Sequence, residues 1–241
     1  MRQGELDLRH DKNGQKRGGW RKGAGRPPQG RRSSERHEVR PSLSPSEPQH
    51  VVSRVLPRAG SLRRRDMYAA IREASIVVAT RDDFRIVHLS IQRTHLHLIV
   101  EARTRTSLAK GMQGFLISAA RGINAALSRR ARRKLRGCVF GDRYHARALT
   151  TPREVRNCIA YVLNNWRHHR EDRGRTWTLD PFASGVAFGG WKGLERAAFA
   201  YRPPPTYAPL VVWFPKTWLL STGWRRHRRI GAFEEPGRGD E

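Results

Sequence analysis

Two alternating apolar runs, FRIVHLSIQ at 84–92 and HLHLIVEA at 95–102, are separated by only Arg93 and Thr94. Successive side chains of a strand point to opposite faces, so each run reads as a strand with one buried face. A two-residue connection makes the pair an antiparallel hairpin, although neither Arg nor Thr is a favoured turn residue. That pairing sets Gln92 opposite His95 and Ser90 opposite His97. Leu96, Leu98 and Val100 then share one face, while His95 and His97 share the other.

Other elements can be placed around this hairpin. QHVVSRVL (49–56) reads as a strand, and 62–81 has helical spacing at Leu62, Met67, Ile71, Ala74 and Val78. Residues 107–130 carry an apolar stripe through Leu108, Met112, Phe115, Leu116, Ala119, Ile123 and Leu127, with Ser107 as the expected cap. CVFGDRYHARAL (138–149) reads as a fourth strand with a bulge near Gly141. Thr150, Thr151 and Pro152 open a further helix over 152–172. The order strand, helix, strand, strand, helix, strand predicts an α+β chain of ferredoxin-like (split βαβ) type. Its antiparallel sheet carries helices on one face and leaves the other free.

The flanks differ in composition. Residues 1–48 are poor in large apolar residues and are expected to be a disordered basic arm. Within them GWRKGAGRPPQGRR (19–32) resembles an AT-hook, which would lay Arg26 into a minor groove; a solvated basic tail reads equally well. The core domain is expected over 49–185. Residues 186–241 read as a Pro/Gly-rich, basic and disordered extension, with 216–231 as a short helix and basic tail.

The chain has 48 Lys and Arg against 21 Asp and Glu, a formal charge of +27, which predicts a polyanionic partner. Ten Lys or Arg and no Asp or Glu lie between Ala102 and Gly141. Arg129, Arg130, Arg132, Arg133, Lys134 and Arg136 are the densest group, and with Arg143 they are candidates for tracking a phosphate backbone. No apolar run is long enough for a bilayer, and the N-terminus lacks a signal peptide's apolar middle. Two cysteines make neither a disulfide framework nor a zinc set. These features predict a reduced, cytoplasmic, nucleoid-associated protein.

Two histidines at i and i+2 form a natural pair of ligands for a divalent ion through neutral imidazole nitrogens. Two exposed surface histidines would give the same pattern. On the helix from Pro152, the apolar face is Val155, Ile159, Val162, Leu163 and Trp166. Tyr161 lies off that face, on one stripe with Asn157 and Asn165. Tyr68 and Tyr144 have no amide one helical turn away.

THLHLIV (94–100), the long helix at 107–130, VFGDRYHARAL (139–149) and YVLNNW (161–166) together resemble the single-tyrosine HUH transposases of the insertion-sequence-200 type, and among them the REP-associated tyrosine transposases. The resemblance covers roughly residues 49–185. It implies that His95 and His97 hold a divalent metal, Mg2+ or Mn2+, with Asn165 as the third ligand, and that Tyr161 is the nucleophile. Asn165 stands where the wider family commonly has Gln, and Trp166 stands where close members often have Pro. The implied reaction is cleavage and rejoining of single-stranded or hairpin DNA through a 5′-phosphotyrosine, with a homodimer left open. His88, His145 and water are candidates for the base. Three rivals remain: a non-catalytic binder of DNA hairpins; a two-histidine phosphoesterase, which would need a second H-x-[ST] beside His88-Leu89-Ser90; and an RNA-recognition sheet, which would want aromatics on its open face.

Overall fold

The computed structural model describes residues 43–174, 176–194 and 207–235. The AT-hook-like arm with Arg26 lies outside them. Among the described residues, the α-helices and strands follow in order: β1 (Gln49–Arg54), α1 (Arg65–Val77), β2 (Phe84–Ile91), β3 (His95–Ala102), α2 (Arg105–Ala131), β4 (His145–Ala148), α3 (Pro152–His168), β5 (Trp191–Lys192), α4 (Trp218–Ser221) and β6 (Ile230–Gly231). The sheet order is β2-β3-β1-β4 with every neighbour antiparallel. This is the ferredoxin-like arrangement that the hairpin and the element order predict.

The leucine face of β3 builds the larger core. Leu96, Leu98 and Val100 pack with Leu89 and Ile91 of β2 against Met67, Ile71 and Ala74 of α1 and Met112, Phe115 and Ile123 of α2. Two glycines let α2 approach closely. A Cβ on Gly122 would lie 2.8 Å from the Ala70 Cβ, and one on Gly111 would lie 2.2 Å from the Phe84 ring. The α2 helix starts earlier than expected: Thr104, not Ser107, is the cap and accepts from the Ser107 amide at 3.0 Å.

The opposite face is not free. α3 packs across it, burying Val155, Ile159, Val162 and Leu163 against Val87 of β2 and Ile99 of β3. A bulge in β2 makes this match: Ile86 pairs with Val100 and His88 with Ile99, so Val87 is an extra residue. The start of α3 is held by a reciprocal box. Thr151 Oγ1 accepts from the Glu154 amide at 3.2 Å, and the Glu154 carboxylate accepts from the Thr151 amide at 3.1 Å.

Two further features depart from expectation. The fourth strand is short: Phe140 bridges Val55, but regular pairing resumes only at His145, opposite Val52. Moreover, residues 207–235 are not a disordered tail. Glu101, buried at the end of β3, accepts from the Lys216 and Thr217 amides and the Thr217 hydroxyl at 2.8 to 3.1 Å. Leu219, Leu220, Trp224 and Ile230 then join the α3 core, and β6 pairs in parallel with β5. Across β2, Asp180 receives both guanidinium nitrogens of Arg63 at 2.8 Å, and Ile91 donates to the Phe182 carbonyl. No helix among the described residues is long and apolar enough to cross a membrane.

Candidate active site on the histidine face of the sheet

The register expected for the hairpin holds: Ser90 lies opposite His97, and the Gln92 amide donates to the His95 carbonyl at 2.9 Å. His95 and His97 share a face, their ring centroids 4.6 Å apart. That face is covered rather than open, and His97 is only 4% exposed. Two other strands of the sheet add to it. Val52 lies opposite His97 and His50 opposite Ile99, so His50 stands on the same face. Its Nε2 is 3.2 Å from His97 Nδ1, and the two rings stack at 5.4 Å. His145 and Arg147 extend this face onto β4, both exposed.

The covering helix supplies a stripe at four-residue spacing. The Tyr161 ring stands edge-on to His97 at 5.1 Å and to His50 at 6.1 Å. Two turns on, His169 stands edge-on to His95 at 5.8 Å. Asn165 falls between them on the same stripe and is fully buried. Tyr68 and Tyr144 lie elsewhere. Tyr68 donates to the Ala208 carbonyl at 2.6 Å, and both Tyr68 and Tyr144 belong to the core on the leucine face.

Burial holds these imidazoles neutral. Desolvation, then the charge of Arg147 and of His145, lowers the pKa of His50 to about 4. Desolvation, then His169 and Arg54, lowers that of His95 to about 4. His97 is pushed well below its ordinary value by burial first and then by His95, His50, His169 and Arg54. His88 is also lowered to about 4 by burial alone; it sits against Phe188 and 3.5 Å from Ser184 Oγ.

Among the described residues, no three His, Cys, Asp or Glu side chains converge as a metal site. The candidate donors are the imidazoles of His95 and His97 and the amide of Asn165. They fit a divalent ion on one observation: His97 Nε2 and both polar atoms of Asn165 are buried without a hydrogen-bond partner. Buried polar atoms are rarely left so. When His97 Nδ1 carries the proton shared with His50, its Nε2 presents a lone pair in place of a donor. Neutral imidazole nitrogens suit first-row transition ions, and an amide oxygen suits harder cations such as magnesium and manganese.

The basic residues gather at one end of the sheet. Arg129, Arg130, Arg132, Arg133, Lys134, Arg136 and Arg143 are all exposed. Arg130 also pairs with Asp66 at 3.0 Å. Arg58 anchors the segment by donating to the carbonyls of Arg136, Gly137 and Cys138 and to Asn124. Gly141 donates to the Arg54 carbonyl, and Arg54 lies opposite His95, so the loop adjoins the histidine end of β3.

Sequence reasoning missed His50 and His169. His169 was accessible, since it continues the Tyr161–Asn165 spacing by one more turn. His50 was not, because its place depends on the β1–β3 register.

A family of transposases described as IS200-like matches residues 48–165. Among solved structures, one of a REP-associated tyrosine transposase bound to a REP hairpin matches at a TM-score of 0.46 and 15% identity, covering 76% of this chain and 96% of that one. A protein from Deinococcus radiodurans R1, described as a candidate transposase, matches at a TM-score of 0.36 and 16% identity, covering 58% and 95%. No curated protein matches the chain.

Proposed function

Over residues 48–165 the chain belongs to the IS200-like transposase family, and from that premise we propose that it is a DNA transesterase of the REP-associated kind. It cleaves and rejoins single-stranded DNA at hairpin-associated sites, with Tyr161 as nucleophile. The observation that carries this reading is the Tyr161 ring against His97, whose Nε2 is buried and unpartnered.

His95, His97 and Asn165 would hold the divalent ion, which supplies charge neutralisation at the scissile phosphate. The chain's own residues do the rest. Tyr161 Oη attacks phosphorus; the new O–P bond forms as the P–O3′ bond breaks. The phenol proton leaves to solvent or a nearby base, and the departing strand keeps a 3′-hydroxyl. Because the phosphotyrosine retains the phosphodiester bond energy, a later 3′-hydroxyl can attack it and reseal the strand without ATP. His50 is a positioning residue that fixes the His97 ring and packs edge-on to Tyr161. Arg129, Arg130, Arg132, Arg133, Lys134, Arg136 and Arg143 would grip the backbone beside the histidine end of β3.

The test is a denaturing gel of labelled hairpin oligonucleotides from the flanks of the chain's own gene, with and without Mn2+. Wild type should give a protease-sensitive adduct only with metal. Tyr161→Phe and His97→Ala should give none. Tight binding by all three proteins with no adduct from any would replace this reading with that of a hairpin-binding protein. An adduct retained by Tyr161→Phe would leave the chemistry and remove the nucleophile.

A further inference from the structure

Three large aromatic residues stand exposed within six positions of the C-terminal segment: Trp213 (48%), Phe214 (85%) and Trp218 (48%). Single exposed apolar residues are common, but such a cluster marks a contact surface. The segment is not loose. Trp213 donates from its amide to the Ile86 carbonyl at 2.8 Å on the outer edge of β2. Glu101 holds the Lys216 and Thr217 amides. The Trp218 ring lies against Gly223, where a Cβ would meet it at 2.8 Å, and the Arg226 guanidinium sits 4.8 Å from its centre. The backbone of the segment and the Trp218 ring are therefore held in place.

The charge around them has one sign. From Tyr207 to Phe233 the chain carries Lys216, Arg225, Arg226, Arg228 and Arg229 and no Asp or Glu. Of the nearest acids, Glu101 is buried under the segment and Glu234 is forked by Arg156, while Glu235 is exposed at its end. Fixed aromatic faces among cations are the composition that stacks unpaired bases and neutralises their phosphates. Anionic lipid surfaces and protein grooves use a similar composition, and the formal +27 of the whole chain with its transposase-family match favours nucleic acid as the occupant. Glu101 shares a strand face with His97 four residues away, about 13 Å along β3. A short unpaired stretch of DNA could therefore lead from one region to the other.

We propose that Trp213, Phe214 and Trp218, edged by Lys216, Arg225 and Arg226, form a second nucleic-acid site that stacks unpaired bases flanking the strand handled at Tyr161. It rests on the reading of DNA as the partner. The experiment is fluorescence anisotropy of the full chain with two probes at matched salt: a labelled single-stranded dT oligomer and a blunt, fully paired hairpin. Phe214→Ala, Trp218→Ala and their double variant should weaken dT binding by on the order of tenfold per ring removed. Blunt-hairpin affinity should stay as in wild type, and the Phe214→Tyr, Trp218→Phe pair should restore dT binding. Phe214→Ala alone keeps the test sound if Trp218→Ala unfolds, because Phe214 supports no core. Unchanged dT affinity, or equal loss on both probes, overturns the proposal. Self-association lost in the variants with dT affinity intact also overturns it and assigns the rings to a second copy of the chain. The adduct assay on the same preparations separates the two readings. Adducts with unchanged dT affinity would sink the second site alone, whereas selective dT loss without adducts would sink the transesterase alone.

Discussion

At the residue scale the candidate site carries a buried, unsatisfied amide. Asn165 is fully buried with neither polar atom partnered, and such a group costs about 1–3 kcal/mol of desolvation. Asn165→Leu should therefore raise the melting temperature of protein kept in a chelator, while abolishing adduct formation and the stabilisation that Mn2+ brings to wild type. A melting temperature that falls in chelator would mean that Asn165 is satisfied and structural. The histidines predict a pH dependence. Their folded pKa values lie below the ordinary 6.5, at about 4 for His50, His88 and His95. The unfolded chain therefore binds protons that the folded chain refuses. Their contribution is present in full above pH 6.5 and is lost as pH falls toward 4. The slope approaches on the order of 1.4 kcal/mol per pH unit for each fully buried histidine. Thermal melts at pH 7.5 and 5.0 should show the drop, and replacing His88 by Leu should reduce it.

At the scale of elements, α3 is clamped from both sides. Its inner face packs on Val87 and Ile99, and its outer side meets Leu220, Trp224 and Ile230. Polar ties add to this: Asn164 donates to the Gly231 carbonyl and Arg167 to the Ala232 carbonyl, each at 2.9 Å. The segment after residue 207 therefore sets the position of the helix that carries Tyr161. Trp224 is 2% exposed and contacts Phe188. Trp224→Ala should lower unfolding stability by about 3–5 kcal/mol. It should also slow cleavage under conditions where the protein is still folded, as chemical denaturation and single-turnover gels run together would show. Loss of stability with full cleavage rate would separate the segment from the site.

For the whole molecule the governing quantity is charge. With a formal +27, binding of single-stranded DNA should fall about three-hundredfold between about 50 and 200 mM salt if some six phosphates are contacted. Charge reversal at Arg132, Arg133 and Lys134 should flatten that dependence. A slope unchanged by the reversal would move the backbone track away from the loop after α2. The exposed arginines of this loop and the exposed aromatics at Trp213–Trp218 lie on separate segments. Salt should act through the first, and base composition through the second.

The hairpin register, the ferredoxin-like order and the shared face of His95 and His97 were legible in the chain because all three are local. Alternation has a period of two, a two-residue connection admits one pairing, and a helical stripe repeats every three to four residues. The helical stripe shared by Tyr161 and Asn165 was legible for the same reason. The covering of the histidine face was not. Whether α3 lies across that face or beside it depends on Val87 being thrown out by a bulge and on residues 207–235 folding back over the helix. Both are contacts between residues far apart in the chain, and no periodicity encodes them. His50 belongs to the same class: a lone histidine in β1 becomes part of the site only when β1 lies beside β3 in one particular register. That register is settled by the leucine-side core, where a slip of one residue would turn every buried side chain of β1 toward the wrong face.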